Sequence, residues 1–416
     1  MVKKKDFNVA IVGGGVCGLT CAATLEKYGI DYAIFEAAPK FGEVGAGVGF
    51  GPNAVRVLKE LDLLDRIATE NSPVERSFVF ISGTGEHELV HKYARYPNSL
   101  GLGVYRPDFL DALAPLIDPS VTHFSKRCIS VSPQVSGRHT LHFSDGTTYE
   151  ADLVVGADGI KSVTRDAVVG LDQPKHLSYT NTVAYRGLVP IETLKAAGVK
   201  TDLVTTPLCW VGMGKHLITF PIQAAKTLNI VAFVADHALP LQPIEWPSAW
   251  VEVVPEEELV DQFEGWGNDA MTILRHMKQP SKWHIHAVNP TLPSFIRENI
   301  VLAGDAAHGM LPHLGAGAGQ GLEDIFVLCR LLCHEQTNAT TLQSVLKAYN
   351  SIRPQRANMV SEESSRMGGI YDNFGESGYD IQAMQNQLRG MWEPVWQHDI
   401  VMEVDAALEL LHGKII

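Results

Sequence analysis

Apolar positions along this chain follow two rhythms. Short unbroken apolar runs occur in "FNVAIV" (7–12), "DYAIFEA" (31–37), "DLVVGADG" (152–159) and "NIVLAGDAAHG" (299–309). Runs of this kind fit strands buried on both faces of a parallel sheet. Helical spacing separates the first two: "GGGVCGLTCAATLEKYG" (13–29) predicts a turn and a helix stopped by Gly29. Residues 53–70, "NAVRVLKELDLLDRIATE", predict an amphipathic helix capped by Asn53. Strand, helix and strand in this order set the fold class as α/β.

From about 74 to 93 and again from 178 to 285 the rhythm changes. "SFVFIS", "NTVAYRGLVP", "HLITFPI" and "LNIVAFVA" are strand-like and broken by loops and prolines. They predict a second, sheet-rich layer interleaved with the first. Residues 1–73, 94–177 and 286–360 are assigned to the parallel layer. "RPDFLDALAPLI" reads as a helix within it. The tail is helical, with a break at "YDNFGESGYD", and residues 361–416 are set apart as a C-terminal segment. There is no internal repeat, low-complexity tract or long linker.

Composition narrows the function classes. The chain has 416 residues, enough for two domains or one elaborated domain. A net charge of −13 argues against a nucleic-acid partner. No stretch reaches the roughly 20 apolar residues of a membrane span. The lysines of "MVKKKDFNVAIVGGG" precede an apolar run that breaks at once into glycines, unlike a signal peptide. The C-terminal "HGKII" matches no retention or peroxisomal signal. A cytoplasmic location is expected. The six cysteines lack the knuckles and further ligands of a zinc site, so they are read as buried thiols, with no metal.

Three motifs carry chemistry. Gly13, Gly15 and Gly18 form G-x-G-x-x-G between a strand and a helix, and Glu36 ends the next strand. Such spacing lets backbone approach a pyrophosphate at a helix N-terminus, with a carboxylate placed for a ribose hydroxyl. Asp158 and Gly159 end a second strand, with Arg165 a turn later; taken alone, an ordinary Asp cap explains them too. Asp305 ends a third strand, and "MLPHLGAGAGQGLED" (310–324) follows. Its glycines, in a stretch that opens a helix, suggest close backbone approach to an anion.

Together these motifs resemble the FAD-dependent aromatic hydroxylases, single-component flavoprotein monooxygenases, over residues 7 to about 360. The segment "AAHGMLPHLGAGAGQGLED" is most similar to the salicylate hydroxylases and their fungal relatives. The resemblance implies a Rossmann-like FAD-binding domain interleaved with a sheet-rich substrate domain. FAD would be held through Gly13, Gly15, Gly18, Glu36 and Asp305, and the Asp158 motif is associated with both FAD and NAD(P)H binding. Arg106 lies where the family has a cofactor-contacting arginine. Gly45 and Gly47 match the loop near the mobile flavin ring. Pro312, Gly315 and Gly317 would also lie beside that ring, where the glycines of 315–321 let backbone amides approach it. The implied cycle uses NAD(P)H and O₂, with a flavin C4a-hydroperoxide attacking an electron-rich ring. A single G-x-G-x-x-G and the lack of a redox cysteine pair disfavour a two-dinucleotide reductase. The absence of W-x-W-x-I-P disfavours a halogenase.

Such a reaction needs a group that forms or stabilises a phenolate. Candidates are His313, in the loop expected to pass the flavin, Arg186 and Tyr185 on one predicted strand, and His216. Strict alternation lets only one of Tyr185 and Arg186 face the pocket. Phe220 and Pro221 could wall it, and His308 is read as a structural loop contact. The expected substrate is a phenolic acid such as salicylate, with loss of CO₂ if attack falls on the carboxyl-bearing carbon. The alternative is hydroxylation or oxidative dearomatisation of a polyketide phenol. An isoprenoid saturase and a non-catalytic FAD-binding protein are the other readings. A homodimer is compatible with all of them.

Overall fold

The computed structural model describes residues 4–42, 47–68, 74–75, 77–93, 100–170, 176–243, 250–375 and 377–411. Gly45 lies outside them. The apolar runs form a six-stranded sheet in the order 296–297, 300–302, 153–156, 9–12, 32–35 and 122–123. The strands are parallel except for the edge strand Ile296–Arg297. Val9, Ala10, Ile11 and Val12 pair with residues 153–156 on one side and 32–35 on the other. All four are buried, as the unbroken apolar run requires.

The second layer is a nine-stranded sheet whose main path runs 251–253, 281–287, 178–190, 227–235, 215–222, 208–211, 79–82 and 89–92. One face packs on the helices Glu256–Gln262 and Asn268–Arg275, through Leu259, Phe263, Ile273 and Leu274. Its opposite face meets the parallel layer, where Gly47 donates its N–H to Asn229 Oδ1 at 3.0 Å. Residues 128–151 add a small antiparallel sheet that the sequence pattern did not disclose.

Two boundaries differ from expectation. The helix Leu342–Tyr371 runs unbroken through position 360, so no C-terminal unit begins there. Its first half packs in the parallel-layer core through Leu346 and Tyr349. Its second half joins Phe80, Trp392 and Trp396 through Val360, Met367 and Tyr371. The helix expected over 53–70 instead spans Pro52–Glu60, followed by a short turn at Leu64–Ile67. Gly51 is its cap, and Asn53 is buried with its amide donating to Glu323 Oε1 at 2.7 Å.

Candidate functional site

The first glycine motif works by close approach. A Cβ on Gly13, whose φ is +104°, would lie 2.3 Å from the Ala157 carbonyl oxygen. One on Gly18 would lie 1.9 Å from the Gly13 carbonyl oxygen. Gly15 precedes the helix Val16–Lys27 with no side-chain cap, leaving its first amides free to meet a phosphate. Glu36 accepts the Gly14 N–H at 2.7 Å on Oε2 and the Ala38 N–H at 2.7 Å on Oε1. Each oxygen keeps a lone pair for a hydroxyl.

Gly13, Gly15 and Glu36 line a cavity of about 400 Å³. Arg106, Asp158, Asp305 and Gly317 line it as well, as do Lys126, Arg127 and Lys161. No motif pointed to Lys126 and Arg127, which stand in an unremarkable strand-and-turn stretch. The set offers cations for a pyrophosphate, carboxylates for hydroxyls and open helix amides, which is the chemistry that FAD requires.

Asp158, at the cavity wall, also holds its own turn. Its Oδ1 accepts from the Ser162 and Thr164 hydroxyls, both at 2.6 Å. Its Oδ2 accepts the Val163 and Thr164 N–H groups at 2.8 and 3.0 Å. Four donors saturate the carboxylate, so it organises the turn and no lone pair is left for a ligand hydroxyl. Arg165 then joins this turn to the next motif: it donates to the carbonyls of Ile160, Asp305 and Ala306 at 2.6, 3.3 and 3.1 Å. Asp305 starts the short helix Asp305–His308 at the cavity wall.

The glycines of 315–321 divide between two jobs. Gly315 turns the chain with φ +60°, its N–H bonded to the Pro312 carbonyl at 2.9 Å. Gly317 opens the helix Gly317–Cys333 at the cavity. Gly321 instead serves packing: its Cβ would lie 2.4 Å from Cys17 Sγ and 3.2 Å from the Gly304 Cα. The two following acids are wholly buried. Asp324 accepts the Gly304 N–H, the His308 ring at 2.6 Å and Arg353 Nε at 2.7 Å. Glu323 pairs with Arg353 at 2.8 Å and Arg356 at 3.3 Å. His308 is therefore a structural contact.

Sheet register sorts the remaining candidates. Cross-strand partners share a face. Ala184, Phe233 and His216 form one row, Arg186, Val231 and Ile218 the next, and Leu188, Asn229 and Phe220 a third. Gly47 packs on this face, 2.9 Å from Phe220 at its would-be Cβ, and Leu311 packs against the cluster of Ala184, Phe233 and Ile285. Pro221, by alternation, points away from this face, although its carbonyl lies 3.8 Å from the would-be Cβ of Gly103. Tyr185 also points away, into the layer beneath. Its hydroxyl donates to Glu258 at 2.9 Å, and burial together with that carboxylate raises its pKa. Tyr185 is thus a packing residue, and Arg186 takes the facing position.

Arg186 stacks on Trp283 at 4.7 Å, and its buried Nε has no hydrogen-bond partner among the described residues. Its pKa is pushed down to about 10, first by burial and then by Arg106. His313 and His216 meet edge to face with ring centroids 5.1 Å apart. Both are buried, and burial, then His216, holds His313 near a pKa of about 3. His216 Nδ1 lies 2.6 Å from Asp372 Oδ1. Asp372 stands in the segment that the sequence marked only as a helix break.

A family model described as an FAD binding domain matches residues 6–364. A salicylate hydroxylase of Pseudomonas putida is 38% identical over 99% of this chain and 97% of its own length. A 6-methylsalicylate 1-monooxygenase of Aspergillus terreus is 34% identical over 99% of this chain and 93% of its own. A solved salicylate hydroxylase substrate complex superposes with a TM-score of 0.84 at 30% identity, covering 96% of this chain and 98% of that one. Among the described residues no helix is long and apolar enough to cross a membrane, and no side-chain group is arranged to hold a metal.

Proposed function

We propose that this chain, which belongs to the FAD-dependent aromatic monooxygenases, hydroxylates a phenolic aromatic acid of the salicylate or hydroxybenzoate class. FAD is its cofactor and NAD(P)H its co-substrate. The observation that carries the substrate class is Arg186. A guanidinium deep in the protein, without an acidic partner among the described residues and within electrostatic reach of Arg106, is unfavourable until an anion joins it. A substrate carboxylate supplies that anion. His216 stands two strands away and one row along. Strand spacing and rise put the two backbones roughly 12 Å apart. On this reading one aromatic ring lies between the carboxylate anchor and the histidines.

When bound, FAD supplies the electrophilic oxygen. The chain's own residues do the rest. Arg186 anchors the acid, Val231 and Ile218 form an apolar floor, and Phe233 and Leu311 wall off water. This holds the ring in one pose, which is what positioning contributes to catalysis. Of the two oxygen atoms of O₂, one enters the ring and the other leaves as water. Where the attacked carbon bears the carboxylate, CO₂ departs as the ring regains aromaticity.

On this reading the parallel-sheet layer holds FAD and the nine-stranded sheet holds the substrate. Gly13, Gly15, Gly18, Glu36, Arg106, Asp305 and Gly317 serve the cofactor. A reducing cytoplasm suits the six cysteines, none of which forms a disulfide. Oxygen uptake and product mass with salicylate, hydroxybenzoates, salicylamide and resorcinol test the assignment. Coupled turnover of the carboxylates, with salicylamide poor, is expected. Preference for resorcinol or salicylamide overturns the acid and points to a neutral, larger phenol.

A further inference from the structure

The helix Leu342–Tyr371 ends beside the nine-stranded sheet, and the next residue, Asp372, bridges two histidines. Oδ1 lies 2.6 Å from His216 Nδ1, and Oδ2 lies 2.8 Å from His237 Nε2. Asp372 and His216 are buried, whereas the His237 side chain is 45% exposed. The three groups run from the face that also carries Arg186 to the protein surface.

Among the described residues, Phe233 stacks on the His216 ring at 4.6 Å and Tyr371 meets it edge to face at 5.3 Å. His313 packs on His216, and its backbone carbonyl accepts the Tyr371 hydroxyl at 3.2 Å. Asp236 acts on His237, and Cys209 lies within electrostatic reach of Asp372. Among the described residues, no Lys or Arg is a leading influence on Asp372, His237 or His313. Burial pushes the Asp372 carboxyl up, yet His216, His237 and His313 outweigh it and hold the pKa well below the usual range. Asp372 is therefore a carboxylate at neutral pH, able only to accept. It follows that His216 donates through Nδ1, and in the neutral ring Nε2 carries the lone pair. That Nε2 is buried with no partner among the described residues. His313 offers no comparable base: it has no carboxylate on its ring, and burial keeps it neutral.

We propose that His216 Nε2 is the atom that takes the substrate's phenolic proton, with Asp372 as its positioning residue and His237 as the solvent-side partner of that carboxylate. The proposal rests on the phenolic-acid reading above. In the step, the phenol O–H bond breaks and an N–H bond forms at Nε2. The electron pair stays on oxygen, giving a phenolate. The proton only moves between two groups of the pocket, so its net charge is unchanged, and the imidazolium that results is paired with Asp372. After oxygen transfer the same proton returns to the product oxygen. His237 competes for Asp372: while cationic, it compensates part of the carboxylate's charge and weakens His216 as a base. Loss of the His237 proton, at a pKa raised chiefly by its bond to Asp372, strengthens the base as pH rises.

The experiment follows the colour of 5-nitrosalicylate, whose phenolate absorbs at longer wavelength than its phenol, bound to the FAD-loaded protein without NAD(P)H. The parent is expected to lower the probe's phenol pKa by at least one unit, a tenfold gain in phenolate. Asp372→Asn and His216→Gln should lose that gain, while His313→Asn keeps it. Binding of 2-methoxybenzoate, which has no phenol, should stay within twofold in every variant. His237→Gln should still form phenolate but lose an inflection above the ordinary histidine pKa of about 6.5. If Asp372→Asn loses FAD, His216→Gln and His237→Gln decide the matter alone. Phenolate formation that survives His216→Gln, or that His313→Asn abolishes, overturns the assignment. A parent that binds the probe as a neutral phenol overturns it too and leaves the substrate class standing. A parent that does not bind the probe but turns over neutral phenols removes the substrate class and this proposal with it.

Discussion

Arg353 Nε lies 2.7 Å from Asp324 Oδ1, and neither side chain is exposed to solvent. The same guanidinium holds Glu323 and the Gln320 side chain and carbonyl. Because Asp324 also accepts the Gly304 N–H, this arginine fixes the turn that presents Asp305 to the cavity. Removing one partner of a buried pair costs about 3–5 kcal/mol, since the other charge stays buried. Arg353→Met should lower stability by that order in chemical denaturation and weaken FAD retention. A loss below about 1 kcal/mol would show that the pair contributes little.

The same network predicts the acid limb of stability. Burial raises the Asp324 and Glu323 carboxyls, but His308 and Arg353 for the first, and Arg353 and Arg356 for the second, hold both below their ordinary values. A depressed folded-state pKa gives stability that is complete above the unfolded value, about 4. It is lost as pH falls through the folded one. Stability measured between pH 7 and 3 should be flat to about pH 5 and then fall. Asp324→Asn should be less stable at pH 7 and show a shallower acid slope. An unchanged slope would mean that other carboxylates govern acid unfolding.

Gly321 sets two known effects against each other. In a helix, Gly→Ala gains about 1 kcal/mol. Here the new methyl would meet Cys17 Sγ at 2.4 Å and the Gly304 Cα at 3.2 Å, and overpacking of this kind costs about 1–3 kcal/mol. Gly321→Ala should therefore destabilise the protein and loosen FAD. Adding Cys17→Ala should recover much of the loss by removing the closer atom. Failure of that rescue would place the strain at Gly304 instead.

The parts of this molecule that lie along one stretch of chain were legible in its sequence. The strand at 9–12, the helix at 16–27 and the glycine spacing between them are local, and each followed from apolar runs and turn chemistry. The opposed faces of Tyr185 and Arg186 follow from the two-residue period, although which one faces the site needed the packing beneath. Asn53 was misread because its side chain looks like a cap until its partner is known, and the bonds by which Asp158 holds its own turn show only in the fold. Asp372 carried no signal at all. Its partners are 156 and 135 residues away, and only the fold brings His216 and His237 to it.

Asp305→Ala should damage FAD retention more than substrate binding. The carboxylate lines the cavity, and its turn is held by Arg165 rather than by its own oxygens. Losing a charged hydrogen bond costs about 1.5–3 kcal/mol, a tenfold or greater rise in the flavin dissociation constant. Fluorescence of released flavin measures it. Unchanged flavin affinity with weakened substrate binding would move Asp305 from the cofactor to the substrate.

Arg186→Ala and Tyr185→Phe, neighbours on one strand, should separate binding from packing. Truncating one partner of a desolvated charge pair costs about 2–5 kcal/mol, so Arg186→Ala should weaken salicylate binding by roughly thirtyfold or more. Its flavin spectrum should stay near normal. NAD(P)H would still be consumed slowly, with oxygen lost as hydrogen peroxide, because no ring is held to accept it. Tyr185→Phe removes only a hydroxyl bonded to Glu258 on the far face, at a cost of about 1 kcal/mol of stability. Its coupling should match the parent. The comparison requires substrate-induced flavin difference spectra and the ratio of product to NAD(P)H consumed. If Arg186→Ala binds and couples normally, the acid anchor passes to Arg106, a cation whose influence reaches Arg186. If Tyr185→Phe uncouples instead, the face assignment of the whole strand is inverted.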